Sequence, residues 1–169
     1  ISAMEFLRKV ELKELKEEPI SIGLWIGQGS TPNKFEDAVR IVNETQRILN
    51  NKRHKDEPKN GFQITSCPWC GTKIISGRQQ GFCIDGQNFI IKCINPQCCF
   101  HDILPLQVVD DMIYKNPPTL LFATVDKFAA LATKSETHKL FNSQNNLLPP
   151  DLIIQDELHL ISGPLGSIV

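Results

Sequence analysis

The sequence predicts an α/β protein built on a parallel sheet, with a small cysteine-rich module inserted into it. Short apolar segments of strand character alternate with amphipathic helices, which is the order found in parallel sheets. All six cysteines fall between positions 67 and 99, so they form one compact group. A length of 169 residues, with 41% apolar and 22% charged residues, suits one globular core with such a module.

The N-terminal part of the sheet comes from residues 1–50. Residues 2–17 are expected to be helical, because apolar residues recur near one stripe amid Glu and Lys. The segment "ISIGLWIG" (20–27) is short, apolar and closed by glycine, which is typical of a buried strand. A clear amphipathic helix is predicted over 33–49, with the Thr31 hydroxyl at its N-cap and Pro32 at its first position.

The remaining chain divides into a linker, the cysteine module and the second part of the sheet. Residues 51–60 are polar and charged and are predicted to be a solvated linker. Residues 61–104 form the module, and residues 105–169 return to the sheet. Within this last part, "TLLFAT" predicts a strand, "VDKFAALATK" a helix and "DLIIQDE" (151–157) a further strand.

Composition excludes several classes of protein. The net charge of −1 gives no basic field over the whole surface, so any nucleic-acid binding must be local. No apolar stretch reaches the roughly 20 residues of a membrane span. The charged N-terminal segment lacks the apolar core of a signal peptide. We therefore expect a cytoplasmic protein without membrane contact, in which clustered cysteines bind metal rather than form disulfides.

The cysteine module has the spacing of a zinc ribbon. "CPWCG" supplies one C-x-x-C turn followed by glycine, and "CINPQCC" supplies a second turn. The predicted structural Zn²⁺ ligands are Cys67, Cys70, Cys93 and Cys98. Cys99 is an alternative fourth ligand, because it also follows the second turn.

The other two candidates in the module are less suited to metal. Cys83 is expected to be a small buried side chain within a strand, and His101 to lie on the surface beside the site. Four thiolates leave no open coordination position, so the zinc is predicted to be structural rather than catalytic.

The sequence "DLIIQDELH" carries a second candidate site. Acidic residues at the carboxyl end of a parallel strand lie where α/β sheets bind ligands. Asp156 would hold Mg²⁺, Glu157 would activate the attacking water, and His159 would couple the nucleotide to a facing domain. A strand that simply ends in a polar turn has the same spacing, so the motif alone does not decide between the two.

Longer stretches of sequence resemble superfamily 2 helicases. "ATVDKF" (123–128) is similar to the turn by which these enzymes grip a nucleic-acid strand, and "PPDLIIQDELHLISGPLGS" is similar to their D-E-x-H box. Together with "IGLWIG", "CPWCG" and "PPTLLFATVDKFA", these segments resemble the sequence of the helicase component of the DISARM type of bacterial anti-phage defence system.

This resemblance implies an ATP-dependent DNA helicase or translocase that uses ATP and Mg²⁺. It implies a RecA-like sheet with helices on both faces, present here as an incomplete first motor domain. DNA and other defence-system subunits are the implied partners. Thr124, Asp126 and Lys127 fall on the strand-contacting turn, where valine replaces the usual proline and lysine the usual arginine.

The phosphate-binding loop of such motors is missing from the sequence. No G-x-x-x-x-G-K-[ST] motif occurs, and "WIGQGSTPNK" has the strand–loop–helix setting but lacks G-K-[ST], since its Lys34 follows asparagine. We therefore expect an internal fragment that is inactive alone. The alternative is a non-enzymatic zinc-ribbon adaptor that binds nucleic acid or protein.

Overall fold

A three-stranded parallel sheet organises the chain. The computed structural model describes residues 1–12, 18–27, 29–51, 58–129, 133–141 and 149–156. Its strands are β1 (Ile22–Trp25), β2 (Ile75–Ser76), β3 (Gln79–Gln80), β4 (Phe82–Asp85), β5 (Asn88–Ile91), β6 (Leu106–Gln107) and β7 (Leu120–Ala123). Its helices are α1 (Ser2–Val10), α2 (Phe35–Asn50), α3 (Asp110–Lys115) and α4 (Val125–Ala129), with a 3-10 helix at Ser135–Phe141.

Strand β1 is the centre of the sheet, in the order β6–β1–β7. Ile22 pairs with Leu106 on one side and with Leu120 on the other, and both pairings are parallel. The expected α/β class and the strands within 20–27 and 119–124 are therefore confirmed. A parallel arrangement brings the carboxyl ends of all three strands to one edge of the sheet, which is the edge where ligands bind in α/β proteins.

Two helix boundaries differ from those predicted. Helix α1 ends at Val10 rather than at residue 17, and Glu11 closes its last turn by donating its N–H to Leu7 O at 2.8 Å. Helix α2 begins at Phe35, so the predicted N-cap at Thr31 is wrong. The Phe35 N–H is satisfied instead by the Asp111 carboxylate at 2.8 Å, a contact from 76 residues away that local sequence does not reveal.

The predicted strand at 151–157 is absent from its described part. Residues 151–156 form no strand, and residue 157 lies outside the described ranges. Leu152, Ile153 and Ile154 are 73%, 60% and 81% exposed. A strand needs a neighbour to satisfy its backbone groups, and the described residues provide none for this segment.

The cysteine module shares its hydrophobic core with helix α2. The module contains the antiparallel pairs β2–β3 and β4–β5. One buried cluster contains Ala38, Val42, Phe62, Cys67, Ile74, Phe82, Phe89, Ile91, Cys93, Cys98, Phe100, Leu104, Val108 and Val109. The Gln80 amide also donates to Val42 O at 3.0 Å. The boundaries 61–104 stay a prediction, but the packing across them is continuous.

Helix α1 is attached to the sheet by a buried carboxylate. Glu5 accepts both the Arg8 guanidinium, at 2.7 and 2.8 Å, and the Ile20 N–H at 2.8 Å, two residues before β1. The Arg8 hydrogen bond, helped by the Ile20 N–H and the charges of Arg8 and Lys9, holds the pKa of Glu5 below its usual value despite burial.

Among the described residues, no helix is long and apolar enough to cross a membrane.

We predict that Glu5→Gln reduces the stability of the chain in a pH-dependent way. Because the folded pKa of Glu5 is lowered, its stabilisation is complete above the unfolded glutamate pKa of about 4.3 and is lost as pH falls through the folded pKa. Urea midpoints measured from neutral to acidic pH should differ between wild type and variant at neutral pH and converge in acid. A difference that is constant with pH would contradict this.

Candidate metal centre

Four cysteine thiols converge at one point of the module. The Sγ atoms of Cys67, Cys70, Cys93 and Cys98 all lie within 4.8 Å of one another. Cys67 and Cys98 are 3.9 Å apart, and Cys70 and Cys93 are 3.5 Å apart. A tetrahedral ion with metal–sulfur bonds of about 2.3 Å places its sulfurs about 3.8 Å apart, so the thiols fit such an ion. The structure thus brings together the four cysteines that the spacing predicted.

Local turns aim these thiols inward. The Gly71 N–H donates to Cys67 O at 2.9 Å, and Gly71 has a φ of +75°, a conformation that favours glycine. In the second turn the Cys98 N–H donates to Asn95 O at 3.0 Å, and the Asn95 N–H points to Cys93 Sγ at 3.4 Å. Each pair of ligands is therefore held by the backbone of its own turn.

The thiols differ in their electrostatic environment. Cys70 is exposed, and hydrogen bonds from the Thr72 hydroxyl and backbone lower its pKa to about 6. Burial raises the pKa values of Cys93 and Cys98. A divalent cation would offset that burial penalty, because it binds the thiolate form and displaces the proton.

The neighbouring candidates lie outside the tetrad. Cys99 is exposed and is not one of the four convergent thiols. Cys83 pairs with Ile90 in the β4–β5 hairpin, as expected for a strand position, but it is half-buried rather than buried. The His101 Nδ1 atom lies 2.9 Å from Cys93 O, so this ring is tied to the backbone of a ligand.

Helix α1 packs on the first cysteine turn. The Phe6 ring stacks on Trp69 with centroids 4.9 Å apart, and Trp69 meets Phe100 edge-on at 5.6 Å. Trp69 lies between two ligands, and Phe100 follows Cys98 and Cys99. The Lys9 ammonium lies 5.6 Å from the centroid of the Phe100 ring. The two cysteine turns therefore provide an aromatic surface on which α1 packs.

The predicted strand-contacting turn lies at the carboxyl end of β7. The Thr124 N–H donates to Trp25 O at 3.2 Å, and Thr124 O accepts the Lys127 N–H at 3.0 Å. The side chains of Thr124 and Asp126 are exposed. Lys127, in contrast, is buried, and its ammonium lies 2.5 Å from Asp110 Oδ2. A direct contact between Lys127 and a phosphate stays a prediction, and the burial of the ammonium argues against it.

Sequence reasoning missed the residues that hold Lys127. Asp110 lies at the start of α3, just after β6, and so at the same edge of the sheet. The Asn33 side chain, in the connection between β1 and α2, accepts a second bond from the ammonium at 2.9 Å. The pair Asp110-Asp111 after "LQVV" was the available signal, because acidic residues follow a short apolar segment there.

The acidic box, which is the segment from Asp156 to His159, is described only in part. Asp156 is exposed at a bend that follows the apolar segment 152–154. Glu157 and His159 lie outside the described residues. Their predicted roles therefore stay predictions.

One comparison with known proteins decides the relationship. No family model matches the chain. DISARM protein DrmA from Bacillus paralicheniformis is 32% identical over 203 aligned positions, which take in 99% of this chain and 18% of DrmA. This chain is a relative of DISARM protein DrmA. The resemblance stated from the sequence is thereby confirmed, and the chain spans less than a fifth of the length of that relative.

We predict that Cys98→Ser loses bound zinc, whereas Cys99→Ser and Cys83→Ser retain it. Of these three cysteines, only Cys98 belongs to the convergent tetrad. A structural site needs all four thiolates of the tetrad. Metal analysis of purified protein should show about one zinc per chain for wild type and the two control variants, and much less for Cys98→Ser. Retention by Cys98→Ser with loss by Cys99→Ser would reverse the assignment.

A second prediction concerns alkylation. With metal removed, iodoacetamide should modify Cys70 before Cys93 and Cys98, because Cys70 is exposed and has a pKa of about 6. The reaction should slow as pH falls below about 6, since Cys70 then takes up its proton. Zinc should protect Cys70 but leave the exposed Cys99 reactive, which mass spectrometry of the peptides can resolve. Protection of Cys99 by zinc would count against the tetrad.

Proposed function

We propose that this chain is part of the first motor domain of an ATP-dependent DNA helicase or translocase that acts in DISARM-type phage defence. The similarity to DrmA over 99% of the chain carries this proposal. The parallel sheet supports it, because motor domains of this class are built on parallel sheets with their sites at the carboxyl edge.

The acidic box would supply the hydrolytic chemistry of the full-length protein. Asp156 follows an apolar segment and is exposed, as a carboxylate that meets a hydrated cation must be. In this proposal Asp156 holds Mg²⁺ and Glu157 takes a proton from the attacking water. His159 relays the state of the nucleotide to a facing domain. Bound Mg²⁺ would neutralise charge that develops on the phosphates. No phosphate-loop motif occurs in the 169 residues, so ATP binding is assigned to the longer protein.

The DNA strand would run along the carboxyl edge of the sheet. Thr124 and Asp126 are exposed there, and a threonine hydroxyl can donate to a phosphate oxygen. The net charge of −1 means that other parts of the protein would supply most of the attraction to DNA.

The metal centre would be a structural zinc site. Sulfur separations of 3.5 and 3.9 Å suit zinc, and four thiolates leave no place for a reacting water. Its role in this proposal is to hold the shared core of the module and α2 together, and to support α1 through Trp69 and Phe100.

We predict that Glu157→Gln abolishes DNA-stimulated ATP hydrolysis by the full-length protein. Removal of a general base costs about 10²-fold or more, while the neutral amide keeps the shape of the side chain. Glu44→Gln, at an exposed position of α2, is the matched control and should hydrolyse ATP as wild type does. The isolated chain should show no turnover above its own Glu157→Gln variant.

Two outcomes would contradict the proposed function. Wild-type turnover by full-length Glu157→Gln would remove the acidic box from catalysis. DNA binding without ATP hydrolysis by the full-length protein would favour the zinc-ribbon adaptor instead.

A further inference from the structure

Lys127 sits in a buried polar network at the carboxyl edge of the sheet. Its side chain is 9% exposed, and its ammonium lies 2.5 Å from Asp110 Oδ2 and 2.9 Å from Asn33 Oδ1. The Asp110 side chain is 2% exposed. A lysine that contacts water or a ligand at the surface has an exposed ammonium, whereas the Lys127 ammonium lies among buried acceptors.

The network continues to the central strand. The Tyr114 hydroxyl lies 3.4 Å from Asp110 Oδ2, to which it donates, and it accepts the Trp25 indole N–H at 2.9 Å. Burial, and then the charge of Asp110, raise the pKa of Tyr114, so this hydroxyl stays neutral and able to donate. The first turn of α4, helix α3 and the end of β1 are thus joined by consecutive hydrogen bonds.

Backbone contacts bring the same segments together. The Thr124 N–H donates to Trp25 O at 3.2 Å, and the Asp111 N–H donates to Asn33 O at 3.1 Å. The segments that follow β1, β6 and β7 therefore meet at the Lys127 ammonium. The ammonium contacts Asn33 from the segment after β1 and Asp110 from the segment after β6.

Charge balance opposes release of the ammonium to an external phosphate. If Lys127 turned outward, the Asp110 carboxylate would stay buried without its cation. The second oxygen of Asp110, Oδ1, has no hydrogen-bond partner within the described residues, so no other donor compensates there. The ion pair is thus more favourable inside the protein than either group would be alone.

We propose that Lys127 is a positioning residue, which fixes the Thr124–Asp126 turn against the β1–α2 connection through Asp110 and Asn33 and does not itself contact DNA. This inference rests on the proposed function, because the turn is taken to face DNA. It assigns to Asp110 and Asn33 a role in shaping that surface.

The test is a double-mutant cycle in the full-length protein with Lys127→Met, Asp110→Asn and both substitutions together. Affinity for a labelled single-stranded DNA oligonucleotide is measured against salt concentration, well below the melting temperature of each variant. Lys34→Met is the matched control, because Lys34 is exposed one residue beyond Asn33.

Each single substitution leaves one buried charge unpaired, so each should lower the melting temperature. Each should also reduce the affinity for DNA by roughly tenfold. The double variant has no unpaired charge and should recover most of the loss in melting temperature, while its DNA affinity stays reduced because nothing holds the turn in place. The salt dependence of binding should keep its wild-type slope throughout. Lys34→Met should leave the melting temperature unchanged.

Three results would overturn the inference. A Lys127→Met slope reduced by about 0.7–0.9 would show a phosphate contact. Wild-type affinity of folded Lys127→Met would show that the ion pair does not shape the DNA surface. Independent effects of the two substitutions on melting temperature would show that they are not coupled. Absence of DNA binding by the unsubstituted protein would instead reject the proposed function, and the melting cycle would still decide the coupling.

Discussion

The convergence of four cysteine thiols at the hydrophobic core is the constraint on which the rest of the structure depends. Cys67, Cys93 and Cys98 are buried within the same cluster that holds Ala38 and Val42 of α2. A module of this size buries little apolar surface by itself, so it is stabilised by the cluster that it shares with α2 and by any metal that its thiolates bind. Binding of a metal to the thiolates would contribute to the free energy of folding, and the shared cluster extends that contribution to helix α2.

The same constraint reaches the sheet by a second route through α1. Phe6 rests on Trp69 of the first cysteine turn, while the preceding residue, Glu5, holds the Ile20 N–H just before β1. Adjacent side chains of one helix thus face the metal turn and the central strand. The module is consequently part of the support of the sheet, although the sequence places it in an insertion.

Local chemistry was predictable from the sequence, and long-range contacts were not. The two cysteine turns follow from spacing, since each carries its own ligands and a glycine or proline, whereas the choice of Cys98 over Cys99 as fourth ligand depends on the folded structure. Helix α2 follows from its apolar periodicity, but its first residue depends on Asp111, which lies 76 positions away. The environment of Lys127 depends on Asn33, 94 positions away, so a first-turn lysine that suggests a phosphate contact is found beside a buried carboxylate.

The segment before Asp156 shows the same limit from the other side. Three consecutive apolar residues, Leu152 to Ile154, suit a strand buried on both faces of a parallel sheet, yet all three are exposed. Alternation of inward and outward side chains cannot bury three in a row, so only packing on both faces would do so. The apolar character of this segment therefore predicts additional layers and a neighbouring strand. Pairing of this segment with such a strand would fix the backbone of Asp156 for a role at a cation.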